Sequence, residues 1–279
     1  DRVELLQEPI ASALAAGWRA DDEAGGVWLV YDLGGGTFDA SLLETRDGLL
    51  RVVGHDGDNF LGGRDFDWAI VDWLLEQVSR QEGIKVSRAD AKWASAIRKL
   101  KHAAEEAKIE LTRSDSADIS VPEFIEHDGR TIEVMATLDR SQLEQLTAPL
   151  VLRSIEVCQR LLKAQQVDAL TRIVLVGGPT MMPWLRQMVK DALHAPFAEG
   201  LDPMTLVAQG AAVYAATAGL DMQPAKAESS SGCKLWLQFP AMSSDMQPYI
   251  VGKLLPEDKP QSALPQRIRL VRADGLWQS

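Results

Sequence analysis

The chain has little with which to build disulfides. Its 279 residues include two cysteines, Cys158 and Cys233, too few for a disulfide framework; this fits a reducing, cytoplasmic setting. Cations are also scarce, with 29 Lys and Arg against 40 Asp and Glu, a formal net charge of -11. A surface this acidic does not hold a phosphate backbone by general basic charge, so no nucleic-acid partner is expected. No apolar run approaches the roughly 20 residues of a membrane-spanning helix, and no membrane role is expected. The histidines (His55, His102, His127 and His194) are scattered singly, without metal-ligand spacing. Neither an initiator Met nor a basic-headed apolar leader stands at Asp1, and the expectation is a piece of a longer protein.

What remains is the composition of a packed globular protein, 46% apolar and 25% charged. Residues 5–16 place Leu6, Ile10, Ala13 and Leu14 at helical spacing, with Pro9 near the start. Strand patterns at 27–32, 37–43 and 49–54, joined by Gly-bearing turns, predict an antiparallel meander. Helices are predicted over 64–81 and, as one continuous helix opened by Ser87 and Asp90, over 89–111. A hairpin at 119–134 and a helix at 141–164 follow. A buried strand at 173–176 stops at Gly177-Gly178, ahead of helices near 184–193 and 205–218. The meander and strand 173–176 are expected in one mixed sheet. Residues 222–232 read as a polar linker, and 234–239, 249–255 and 267–271 as strands of a segment too short for its own core. The eight tryptophans fall mostly at helix or strand positions and read as packing or partner contacts.

Four stretches carry possible chemistry. In Asp32-Leu33-Gly34-Gly35-Gly36-Thr37-Phe38-Asp39 a strand ends in a carboxylate, and three glycines let the backbone N–H groups turn toward one concavity. Thr37 adds a hydroxyl, and carboxylates beside phosphates require cations between them, usually hydrated Mg2+. No Gly-Lys-Ser/Thr follows, so this is not a Walker loop. The ordinary alternative is a tight hairpin with solvated acids. Val174-Leu175-Val176-Gly177-Gly178-Pro179-Thr180 is a strand running into a helix, where an open α/β sheet presents its crevice. At the end of the long helix, Glu105 and Lys108 share a face, which by itself suggests a surface ion pair. Gly62-Gly63-Arg64-Asp65-Phe66-Asp67 opens a helix whose N–H groups suit an anion, or whose acids simply serve the helix dipole.

Their order is more specific than any one of them. Gln7-Glu8-Pro9-Ile10-Ala11-Ser12-Ala13-Leu14-Ala15, the 32–39 hairpin, Leu61-Gly62-Gly63-Arg64-Asp65-Phe66-Asp67, the 103–112 stretch, Val174 to Thr180 and Gly210-Ala211-Ala212-Val213 follow the order and about the spacing of the 70-kilodalton heat-shock chaperones. The chain resembles the ATPase domain of this DnaK-type family, within the actin-like superfamily, over about residues 3–220. The resemblance implies an α/β, actin-like (ribonuclease H-like) ATPase lobe with a mixed sheet and helices, plus a smaller α+β subdomain. It assigns 1–221 to the second lobe, with 84–138 as the inserted subdomain, 222–232 to the linker and 233–279 to a partial β-rich segment. The family's first phosphate loop, first cleft Asp and catalytic Lys belong to a lobe outside this chain.

By the same resemblance Glu8 helps place the attacking water, and Asp32 and Asp39 hold Mg2+ through water and K+ near the phosphates. Gly34, Gly35, Gly36 and Thr37 form the second phosphate loop. Gly63, Glu105, Lys108, Thr112, Gly177 and Gly178 contact phosphate, ribose or adenine. ATP and ADP are the implied ligands, and unfolded client proteins, a J-domain-type co-chaperone and a nucleotide exchange factor the implied partners. The sequence departs from the family at Arg64 (usually Glu), Met181 (usually an Arg that packs on adenine), Pro179 (usually small and polar) and Met204 (usually Asp). The family's leucine-and-acid interdomain linker is absent after Leu220. The expected function is the nucleotide-binding lobe of a divergent chaperone ATPase, inactive without the first lobe. The alternative is a pseudo-ATPase interaction scaffold of the same fold. A sugar kinase or actin-like filament protein fits less well, because the 7–15 and 105–112 stretches point to the chaperones.

Overall fold

Val27, Trp28, Leu29, Val30 and Tyr31 form an unbroken apolar run, which is stable as a strand when both of its faces are covered. The computed structural model describes residues 3–18, 25–46, 49–217, 234–238 and 251–255. In it, β1 (Gly26–Leu33) sends Leu29, Tyr31 and Leu33 into one core and Trp28 and Val30 into another. β2 (Phe38–Arg46) and β3 (Leu49–Asp58) complete the antiparallel meander, with an irregularity in register between Leu42 and Leu43. β6 (Arg172–Val176) joins β1 in parallel, giving the order β3-β2-β1-β6. The single mixed sheet expected from the sequence is therefore formed.

Helices cover both faces. On the first, Phe66, Ile70 and Leu74 of α2 (Gly63–Glu82), Val151 and Ile155 of α4 (Arg140–Ala164) and Leu185 and Val189 of α5 (Pro183–Leu193) share a core with Leu29 and Tyr31. On the second, Ile10, Ala13 and Leu14 of α1 (Glu8–Ala15) and Leu206 of α6 (Leu206–Thr217) pack with Trp28, Val174 and Val176.

Between α2 and α4, the helix α3 (Ala94–Glu110) lies on a hairpin of β4 (Ser116–His127) and β5 (Arg130–Asp139). Asp128 and Gly129 turn the hairpin with φ of 49° and 73°, the left-handed pair that matches strand twist. Residues 89–111 are not one continuous helix. Ala91–Trp93 is a 3-10 turn, in which the Asp90 carboxylate accepts from Lys92 N and Asp90 O from Trp93 N, and the α-helix begins only at Ala94. The capping residue read from the sequence is real, but it starts a tighter turn.

β7 (Lys234–Gln238) and β8 (Val251–Leu255) form a separate antiparallel pair. The 222–232 linker and the 267–271 strand pattern lie outside the described residues.

α1 and α6 touch backbone to backbone. A Cβ on Gly210 would fall 1.8 Å from Ala11 O. Gly210→Ala gains about 1 kcal/mol in helix propensity but costs about 2–3 kcal/mol in overpacking. Its melting temperature is expected to drop by about 3–6 °C, while Ala211→Ser on the exposed side leaves it unchanged. Thermal unfolding followed by circular dichroism checks both.

Candidate functional site

The site is assembled from backbone before any side chain enters it. Gly34 N donates to Thr37 O at 2.9 Å and closes the turn between β1 and β2. The start of α2 docks on this turn through Gly63 N to Gly34 O and Arg64 N to Gly35 O, both 2.9 Å. Contact this close needs bare backbone, since a Cβ on Gly62 would stand 2.4 Å from Gly36 N. The parallel pairing of Asp32 with Val176 brings Gly177 alongside. Gly177 has φ of 90°, and a Cβ there would lie 2.1 Å from Leu33 O. Three glycine-bearing segments thus meet where β1 ends.

The C-terminal end of α3 faces this junction across a cavity of about 480 Å³. Gly35, Gly63, Glu105, Lys108, Thr112 and Gly178, all named from the sequence, line it. Gly34, Gly36 and Gly177 form the backbone just behind. Thr37 sits exposed at the end of the turn, and Thr112 donates its hydroxyl to Ile109 O at 2.7 Å. A larger groove of about 950 Å³ runs past His194 and Phe197, but none of the sequence-named site residues lines it.

The surface ion pair that the spacing of Glu105 and Lys108 suggests by itself is not what forms. Lys108 is 8% exposed and turns inward, donating to Gly63 O at 3.1 Å and to the Asp67 carboxylate. Asp67, by its position a helix-dipole residue, is instead the buried partner of a cation 41 positions away. Nothing local in the sequence pairs the two. Burial pushes the Asp67 carboxyl up from its ordinary value, and the hydrogen bond and charge of Lys108 oppose this. Asp65 does serve the helix start, accepting from Gly62 N at 2.8 Å. Sequence reasoning also passes over Ile109 and Met182, which line the cavity beside Pro179, Met181 and Met204. Their apolar character, spread over separate segments, gives no local signal.

The carboxylates form a second group at the same end of β1. Asp32 stands opposite Asp39 in the ladder, and Glu8 opens α1. Burial first, then the charges of Glu8 and Asp39, raise the Asp32 carboxyl to about 6. Mutually repelling oxygens of this kind suit Mg2+ that keeps its waters. Among the described residues no three His, Cys, Asp or Glu side chains form a protein-only metal cage.

Two expectations follow. Asp32 holds its proton more tightly in the fold, near pH 6 against an ordinary value of 3.8. Its contribution to stability is therefore full below pH 3.8 and lost as pH rises through 6. In buffer free of divalent cations, Asp32→Asn should gain about 2–3 kcal/mol relative to the native chain between pH 4 and pH 7. Urea titrations at the two pH values measure this. Lys108→Met leaves Asp67 buried without its cation and should cost about 3–5 kcal/mol, most of which Lys108→Met with Asp67→Leu recovers.

Residues 1–224 match the family described as "Hsp70 protein". Over 216 residues, 76% of this chain, it is 41% identical to "Chaperone protein DnaK" of Trichormus variabilis. Over 221 residues, 77% of the chain, it is 40% identical to "Chaperone protein dnaK" of Cyanidioschyzon merolae. These alignments cover 30% and 35% of the two relatives, so the chain spans about a third of their length. With the mixed sheet, its covering helices and the glycine junction in place, the chain belongs to the Hsp70 family, and its α/β lobe has the actin-like fold of that family's ATPase domain.

Proposed function

We propose that this chain is the second lobe of a heat-shock-type chaperone ATPase and holds ATP or ADP in the 480 Å³ cavity. One observation carries the reading. The β1–β2 turn, the start of α2, the end of α3 and the turn after β6 are distant in sequence, yet they line one space. Backbone N–H groups of residues 35–37 take phosphate oxygens, while that of Gly34 stays bonded within the turn, and the Thr37 hydroxyl adds a donor. Apolar Ile109, Pro179, Met181 and Met204 suit the base end. Methionine at position 181 removes a stacked guanidinium, worth on the order of 1 kcal/mol.

Asp32 and Asp39, paired across the β1–β2 ladder, would hold hydrated Mg2+, with K+ nearby. Bound there, Mg2+ supplies charge neutralisation for the phosphate oxygens. Glu8 orients a water for attack on the terminal phosphate. In the longer protein the lobe acts in a chaperone cycle with unfolded clients, a J-domain-type co-chaperone and an exchange factor. Phosphoryl transfer needs groups closing on the phosphate from both sides, so this chain alone is expected to bind weakly and not to turn over ATP.

Single-turnover hydrolysis by the full-length protein tests the reading. Mg2+-dependent cleavage that is lost in Asp32→Asn, Glu8→Gln and Thr37→Ala variants is expected. Tight ATP binding with no cleavage above the Asp32→Asn background favours the pseudo-ATPase scaffold. The absence of binding overturns the nucleotide site.

A further inference from the structure

Arg64 follows Gly62-Gly63 onto α2 and is exposed on the wall of the cavity. Its guanidinium lies against the glycine turn, so close that a Cβ on Gly36 would fall 1.9 Å from Nη2. Nε donates to Gly35 O at 3.2 Å. That bond uses one of the five N–H donors a guanidinium carries. Asp65 is committed to Gly62 N and Asp67 to Lys108, while Glu105, the carboxylate α3 adds to the cavity wall, makes no ion pair with Arg64. Among the described residues, no carboxylate forms an ion pair with Arg64. Lys108, the other cation on the cavity wall, is neutralised by Asp67. Arg64 therefore brings the cavity a full positive charge, fixed beside the turn, with donors to spare.

We propose that Arg64 directly grips the phosphate chain of the bound nucleotide, so that part of the diphosphate affinity needs no divalent cation. This rests on the reading of the cavity as a nucleotide site. The planar fork of a guanidinium matches two phosphate oxygens at once, a fit a lysine ammonium lacks. Glu8, Asp32 and Asp39 do not line the cavity and can hold phosphate only through a mobile cation. The two sets of groups therefore act under different conditions. The carboxylates hold phosphate when a metal is present, and Arg64 holds it either way.

The test is an NMR titration of the full-length protein, in EDTA, with pyrophosphate, ADP and adenosine. In the unmutated protein the Arg64 Nε–Hε resonance should shift with pyrophosphate and ADP and stay still with adenosine. Arg64→Gln should weaken pyrophosphate and ADP binding about tenfold, Arg64→Lys less, and Arg64→Glu more. Adenosine binding should be the same in all four proteins. If the native chain binds ADP while the variants match it and the Nε–Hε signal does not move, Arg64 only clamps the turn; this inference falls and the nucleotide reading stands. If the native chain binds none of the three ligands, both fall.

Discussion

The site depends on backbone lying directly on backbone where β1 ends. The 34–37 turn, Gly62-Gly63 and Gly177 approach so closely that a Cβ at either Gly62 or Gly177 would overlap main-chain atoms of its neighbours. Glycine carries an entropic cost in folding, which this junction offsets by docking α2 and the end of β6 on the same turn. The cavity is a by-product of that docking. Its glycine-lined wall is set by main-chain hydrogen bonds from Gly63 and Arg64 to the turn. Asp32 and Asp39 are fixed by the same ladder that forms the turn.

Charge is arranged around this junction with similar economy. In a chain of net charge -11, burial and then repulsion from Glu8 and Asp39 raise the cost of ionising Asp32. A cation is the simplest relief. On the cavity side, Lys108 and Asp67 form a neutral pair, Arg64 brings a guanidinium beside the turn, and Glu105 brings a carboxylate from the end of α3. Ligands that bring negative charge and a metal together satisfy both sides. Behind the site, the doubly covered sheet holds the β1 end still, because Leu29, Tyr31 and Leu33 pack on one face and Trp28 and Val30 on the other.

Much of this is legible in the residues. Apolar runs and Gly-bearing turns locate the meander, and the buried run 173–176 supplies the fourth strand of the sheet. The motifs name the segments that line the cavity. What local pattern does not carry is long-range pairing. The spacing of Glu105 and Lys108 suggests a surface pair, but Lys108 is drawn inward because Asp67 is buried and needs a cation. The tight 3-10 turn ahead of α3 escapes a sequence reading because the Asp90 cap looks the same whether a tight turn or an α-helix follows. Gly62, which makes the closest approach to the turn, is overshadowed by Gly63, since only the folded chain shows which of two adjacent glycines faces bare backbone.

The central claim is that these separate segments form a single nucleotide site. Hydrogen exchange of backbone amides, with and without saturating ADP and Mg2+, addresses it most directly. Protection should rise together at residues 34–37, 62–64, 105–112 and 177–181, and remain unchanged along α5 and the 194–203 loop. Protection that appears at only one of these segments, or along the groove past His194 instead, would contradict a single shared site.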